Sequence, residues 1–97
     1  MDIPDPVHLP IDGTLDLHAF NPRDVVSVVD DYLAAAHAAG LSEVRVIHGR
    51  GIGVQRAAVQ RLLHTHPLVA DYWDASDSHH GATIVRLVGP GGGAARA

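Results

Sequence analysis

The residues best suited to chemistry begin with His48-Gly-Arg-Gly-Ile-Gly53, which interrupts an otherwise regular apolar pattern. The β-branched run before it (Val44, Val46, Ile47) reads as a buried strand, and a helical pattern resumes at Val54. A strand that enters a glycine-rich turn and then a helix N-terminus presents unpaired backbone N–H groups to an anion. With a histidine and an arginine inside the turn, phosphate is the ligand it suits, and the side chains could do more than hold it. Two other glycine patterns are excluded. The dinucleotide fingerprint needs a glycine where Val54 stands, and a P-loop needs a lysine that the chain lacks.

The second candidate group is Asp16 and His18. In Ile11-Asp-Gly-Thr-Leu-Asp-Leu-His18 a turn signal at Asp12-Gly13 precedes alternation of Leu15 and Leu17 with polar residues, which predicts a short strand ending at His18. Alternation would place Asp16 and His18 on one face. Such a pair is either structural, or an aspartate that orients a histidine, or a magnesium ligand beside one.

The elements that must position these groups follow from the rest of the pattern. Asn21-Pro22-Arg23-Asp24 is a strong helix start, with Asn as N-cap and Pro at the first helical position. That helix should run to about Ala39 and stop at Gly40, burying Val25, Val29, Tyr32, Leu33 and Ala36. Leu41 to His48 is the second strand, separated from the first by the length of a parallel βαβ crossover. A second helix starts at Val54, with Val54, Ala57, Ala58, Leu62 and Val59 expected inward and Arg56, Gln60 and Arg61 outward. Pro67 limits it, with His64 and His66 in the last turn. Leu68–Asp74 and Ala82–Val88 read as two further strands. The expected fold is an α/β two-layer sandwich of βαβαββ order, a four-stranded mixed sheet with two helices. Residues 1–10, with three prolines, form an extended or disordered arm, 11–88 the domain, and 89–97 a flexible glycine-rich tail.

In a parallel βαβ unit ligands gather where strand C-termini meet helix N-termini. That rule places His18 and His48 on one edge of the sheet, with Arg23, Arg50 and Arg56 beside them, a local positive patch fit for phosphate.

Composition narrows the rest. The 97 residues carry a formal charge of −4, and all seven Lys/Arg residues are arginine, which argues against charge-driven coating of nucleic acid. With no cysteine there is no disulfide, thiolate metal site or cysteine nucleophile. The N-terminus lacks the basic and apolar regions of a signal peptide and no run is long enough to span a membrane, so a cytoplasmic location and no membrane partner are expected.

Taken together, Leu15-Asp-Leu-His18, His48-Gly-Arg-Gly-Ile-Gly53 and Gly81-Ala-Thr-Ile-Val85, in this order and at this spacing, resemble the Smr (small MutS-related) domain over roughly Leu15 to Leu87. The resemblance implies a fold similar to the C-terminal domain of a bacterial translation initiation factor. It also implies endonuclease activity, nicking DNA in some members and cleaving RNA in others, and this chain looks like a stand-alone member. Asp16 and His18 match the first motif; His48, Gly49, Arg50, Gly51 and Gly53 the second; Gly81, Ala82 and Thr83 the third. Two positions depart from the family pattern. Ala19 stands where glycine is common, and Ser78-His79-His80 where a glycine-rich segment is usual.

The function expected is therefore phosphodiester hydrolysis, with a non-catalytic DNA- or RNA-binding module as the alternative and a protein-interaction domain as a third class. His48 and His18 would share general acid and base roles, Arg50 would stabilise charge on the phosphate, and Asp16 would orient His18 or hold a metal. Gly49, Gly51, Gly53, Arg23, Arg56, Gly81 and Thr83 would bind the nucleic-acid backbone. Mg2+ or Mn2+ is the cofactor such chemistry would draw on, with no organic cofactor. His79 and His80 could join His18 and His48 around a transition metal, and one of Tyr72 and Trp73 could stack on a base.

Overall fold

The computed structural model describes residues 12–49, 54–77 and 81–89. Its elements are β1 (Thr14–Asp16), α1 (Val25–Ala38), β2 (Glu43–Ile47), α2 (Val54–Thr65), β3 (Val69–Asp74) and β4 (Ala82–Leu87). Two 3-10 turns, Leu17–Ala19 and Pro22–Asp24, join β1 to α1. The four strands form one sheet in the order β1-β2-β4-β3, with β1 parallel to β2 and both other pairings antiparallel. This is the expected mixed α/β sandwich. The proposed arm, and the tail beyond Gly89, lie outside the described residues.

One face of the sheet carries both helices. Val44 and Val46 of β2 and Thr83, Val85 and Leu87 of β4 point into that layer, where all five are buried. They meet Val25, Val29, Leu33 and Ala36 of α1 and Val59 and Leu63 of α2. The α1 stripe is the one its three- and four-residue spacing predicts. Asn21 caps its entry, its side-chain oxygen accepting the Arg23 N–H at 3.1 Å. Gly40 ends it with φ +87°, a conformation that costs other L-residues roughly 1–2 kcal/mol.

The second helix sits differently from its expected register. Val54 is 63% exposed and Ala57 is also exposed, whereas Val59 and Leu63 are the buried pair. Arg56 and Gln60, expected outward, are half-buried against the sheet; Arg61 does face out. The alternation in β3 also breaks. Val69 pairs with Leu87, but Asp71 pairs with Arg86, so one extra residue is accommodated between them. This slip turns Tyr72 and Asp74 toward the helices and leaves Trp73 on the opposite face, beside Ile84 and 41% exposed.

The first strand stops earlier than expected. Asp16 is its last residue, and His18 lies in the 3-10 turn beyond it. His66, expected in the last turn of α2, falls just past its end and is more than a terminus. Its Nε2–H donates to Asp30 Oδ1 at 2.7 Å and its Nδ1 accepts the Leu68 N–H at 3.1 Å, tying α1 to the start of β3. Among the described residues no helix is long and apolar enough to cross a membrane.

Leu33→Ala should cost about 2–5 kcal/mol of unfolding free energy in urea titrations, because Leu33 is fully buried between α1 and the sheet. Val54→Ala should change it by less than about 0.5 kcal/mol. Equal losses from the two would contradict the observed face of α2.

Candidate active site

Because β1 and β2 run parallel with Asp16 opposite Ile47, the segments leaving them emerge at the same edge. From β1 comes the 3-10 turn carrying His18, and from β2 the His48–Gly49 step. The predicted meeting of the two histidine motifs at one edge is what the sheet produces.

The first motif is organised by a carboxylate. Asp16 Oδ1 accepts the backbone N–H of His18 at 3.0 Å and the His18 Nδ1–H at 2.9 Å. The contact arises from the turn after β1, not from two residues sharing a strand face. A carboxylate only accepts, so Nδ1 carries the proton and, in the neutral ring, Nε2 carries the lone pair. The His18 side chain is 83% exposed. The His18 backbone N–H, and then its ring, hold the Asp16 carboxyl below the usual aspartate range.

His48 has the opposite surroundings. It is buried, and both ring nitrogens are engaged within the protein. Nδ1 lies 3.1 Å from the Gly49 carbonyl oxygen and Nε2 lies 2.9 Å from the Thr83 hydroxyl. A carbonyl only accepts, so Nδ1–H is the donor and Nε2 accepts the Thr83 O–H. Burial pushes its pKa below the ordinary histidine value; the Gly49 carbonyl opposes it, and the charges of Arg56, lowering, and Asp74, raising, act less. The backbone is pinned as well. The N–H groups of His48 and Gly49 both donate to the Gly81 carbonyl, at 3.0 and 2.9 Å. Gly49 has φ +83°, which a side chain would oppose.

Behind His48 lies a polar chain that sequence reasoning missed. Gln60 Nε2 donates to Thr83 Oγ1 and to Asp74 Oδ1, both at 3.1 Å. Arg56 donates to both Asp74 oxygens, Nε to Oδ1 at 2.8 Å and a terminal nitrogen to Oδ2 at 2.7 Å. That bidentate pair holds the guanidinium more firmly charged and neutralises it locally. The spacing of Arg56 and Gln60, one helical turn apart, was a usable signal that they share a partner.

These placements correct several expected roles. Thr83 is fully buried and its hydroxyl is committed, so it supports the site from behind instead of gripping phosphate. Gly81 is buried and contributes its carbonyl to the turn's stem. Arg56 is bound by Asp74. Arg23 is exposed in the turn preceding α1, at the expected edge. Arg50, Gly51 and Gly53 of the glycine turn, and His79 and His80, lie outside the described residues. Among the described residues no group of three or more His, Cys, Asp or Glu could hold a metal ion, and Asp16 spends one oxygen on His18. Tyr72 packs against the core; Trp73 stands on the far face of the sheet.

Comparison with known proteins shows what the chain as a whole is similar to. The Smr domain family model matches residues 15–88. Endonuclease MutS2 of Caldicellulosiruptor saccharolyticus is 38% identical over 79 residues, which is 79% of this chain and 10% of that protein. Endonuclease MutS2 of Clostridium tetani is 35% identical over the same shares. The chain therefore spans about a tenth of the length of these curated relatives. Among solved structures, the Smr domain of Thermus thermophilus MutS2 superposes with a TM-score of 0.72 at 34% identity, covering 76% of this chain and 95% of that one. YdaL, a stand-alone small MutS-related protein from Escherichia coli, gives a TM-score of 0.72 at 29% identity, covering 80% and 66%.

The lowered pKa of His48 makes a stability prediction with a definite sign. Above about pH 6.5, the ordinary histidine value, the ring is neutral both folded and unfolded and its burial stabilises fully. As pH falls below that value the unfolded chain takes up a proton that the folded ring refuses, so stability declines until the lower folded pKa is reached. Urea titrations from pH 7.5 to 5 should show this component in the wild type and its loss in His48→Asn. Parallel pH profiles for the two would contradict the buried neutral ring.

Proposed function

This chain belongs to the Smr domain family, and from that premise we propose that it is an endonuclease that cleaves phosphodiester bonds of DNA or RNA with His18 as its general base. The observation that carries the reading is the Asp16–His18 pair, an exposed imidazole oriented by a carboxylate beside the His48–Gly49 turn. The naming of the MutS2 relatives as endonucleases supports it.

The roles divide by environment. Asp16 fixes the His18 tautomer, so Nε2 is the atom that takes a proton from the attacking oxygen. On RNA that oxygen is the 2′-hydroxyl. Its attack on phosphorus breaks the P–O5′ bond and leaves a 2′,3′-cyclic phosphate and a 5′-hydroxyl, the departing O5′ taking its proton from solvent. On DNA the proton comes from water, whose oxygen attacks phosphorus and breaks one P–O ester bond, leaving a phosphomonoester and a hydroxyl whose oxygen takes its proton from solvent. Arg50 and the glycine turn are the groups the sequence assigns to the phosphate, and Arg23 to the nucleic-acid backbone. His48 serves as the buried post of the turn: its Nδ1–H is given to Gly49 and its Nε2 to Thr83, so it has no proton to shuttle in this arrangement. Since the described residues do not assemble a metal site, no step is assigned to Mg2+ or Mn2+.

A second reading, a nucleic-acid-binding module that does not cut, is favoured by one observation. Arg45, Arg56 and Arg86 are each paired with an aspartate (Asp77, Asp74 and Asp71), which reduces the positive charge available to a polyanion.

Pure protein should be incubated with supercoiled plasmid and with structured RNA, in Mg2+, Mn2+ or EDTA, beside His18→Ala and Asp16→Asn. Loss of the general base should slow cleavage by about 10²–10⁴-fold, and loss of its orienting carboxylate by less. RNA cleavage should survive EDTA. Undiminished cutting by His18→Ala would overturn the role of His18; binding without cutting of either substrate by the wild type would establish the second reading.

A further inference from the structure

The polar chain behind the turn has a direction, and that direction depends on one neutral side chain. Asp74 is a carboxylate held by Arg56, so it can only accept, and the atom of Gln60 facing it must be the amide nitrogen. The same nitrogen is 3.1 Å from Thr83 Oγ1, which therefore accepts a hydrogen bond from Gln60. A hydroxyl has one proton to give. With Gln60 donating into it, the Thr83 O–H is directed at His48 Nε2, 2.9 Å away. That leaves the ring proton on Nδ1, where it is donated to the Gly49 carbonyl at 3.1 Å. The Gly49 carbonyl, which can only accept, independently requires the ring proton on the same nitrogen.

We propose that Gln60 is a positioning residue of the site: by fixing the polarity of the chain Asp74–Gln60–Thr83–His48–Gly49, it holds His48 in the Nδ1–H form and so clamps the carbonyl at the start of the glycine turn. The clamp complements the backbone bonds from His48 and Gly49 to the Gly81 carbonyl. At the other end of the turn, Arg56 in the first turn of α2 grips the same Asp74. Both stems of the 50–53 segment are thus referred to the β3–β4 pair, through Asp74 on one strand and Thr83 on the other, which are directly opposite each other. A buried network of this kind rigidifies only while every member is satisfied with the correct donor and acceptor. The functional consequence rests on the reading of this edge as a nuclease site; the tautomer does not.

Gln60→Glu tests the polarity with almost no change of shape. A glutamate at position 60 stands where Gln60 lay 3.1 Å from the Asp74 carboxylate, so the two share one proton, directed at Asp74; none is left for Thr83, whose hydroxyl turns to donate to Glu and presents its lone pair to His48 Nε2. The ring must then carry a proton on Nε2. Gln60→Leu removes the donor without supplying an acceptor, so the Thr83 O–H keeps its bond to His48.

Nitrogen NMR of the histidine ring at pH 7.5 reads this directly. The wild type should show a protonated Nδ1 and an unprotonated Nε2 at His48, Gln60→Leu the same pattern, and Gln60→Glu a protonated Nε2. A wild-type ring protonated on Nε2 overturns the proposal before any variant is made, and so does an unchanged ring in folded Gln60→Glu. In the cleavage assay, Gln60→Glu should lower kcat by about tenfold or more with KM changed much less, since it releases the Gly49 carbonyl beside the Asp16–His18 pair without removing a substrate contact. Gln60→Leu should also lower kcat, by less than Gln60→Glu, because Thr83 and Asp74 each lose one donor while the ring keeps its tautomer. A shifted tautomer with unchanged kcat would overturn the positioning role. Should the wild type cleave nothing while the NMR pattern holds, the nuclease reading fails and the clamp stands, tested then by faster amide exchange of Gly49 in Gln60→Glu.

Discussion

The site depends on one buried hydroxyl being satisfied. Thr83 sits in the middle strand pair with no exposure to solvent, in a layer otherwise made of Val44, Val46, Val85 and Leu87. An unpaired hydroxyl there would cost roughly 1–3 kcal/mol. It is paired twice, with Gln60 and with His48, and through those bonds the helix layer, the hairpin and the glycine turn are brought into one network. The strand order makes this possible. Inserting β4 between β2 and β3 puts Thr83 opposite Val46 on one side and Asp74 on the other, so the motif at the end of the chain becomes the floor under the motif in its middle.

Charge is distributed on the same principle. The chain is acidic overall, yet Arg45, Arg56 and Arg86 each meet an aspartate. Exposed pairs such as Arg86–Asp71 at 3.8 Å contribute little to stability. The bidentate Arg56–Asp74 contact is half-buried and geometrically tight, and its value lies in direction: it fixes a carboxylate as an acceptor deep enough to orient an amide. A positive patch inferred from arginine count alone overstates what is available to a phosphate, because position along the chain says nothing about which guanidinium is already spoken for.

Much of this was legible in the residues. The order of elements, the α1 stripe, the cap at Asn21 and the stop at Gly40 follow from local chemistry that tertiary context did not override. So did the convergence of His18 and His48, since parallel strands must end at the same edge. What was hidden depended on non-local pairing. The one-residue slip after Val69 reverses the facing of Asp74, and nothing in Val-Ala-Asp-Tyr-Trp-Asp announces it. Without that reversal Asp74 points away from the helices, and Gln60 reads as an ordinary solvent-facing residue. The face of α2 was misjudged for a related reason. Leu63, not Val54, completes the apolar pair because the helix turns its Arg56–Gln60 side toward a carboxylate on the sheet.

The two histidines show why residue type alone could not divide the labour. Sequence motifs place both at the same edge and suggest a shared acid–base role. The structure gives them opposite environments. His18 is exposed and tied by one nitrogen to a carboxylate, an arrangement that leaves its second nitrogen available to a substrate proton. His48 is buried, held neutral by desolvation, and has both nitrogens occupied by groups of the chain itself. Environment sets function where chemistry is equal, as with paired carboxylates whose surroundings drive them to different protonation states. A histidine that must exchange protons needs a free lone pair and solvent; one that must hold a backbone carbonyl needs the reverse. Nor can His48 act from its present position merely by taking up a proton, because an imidazolium would set an N–H against the proton that Thr83 already directs at it. Recruiting it to catalysis would require the Thr83 O–H to turn away from it first. On the proposed reading, the motif histidine in the glycine turn serves architecture and the one after β1 serves chemistry.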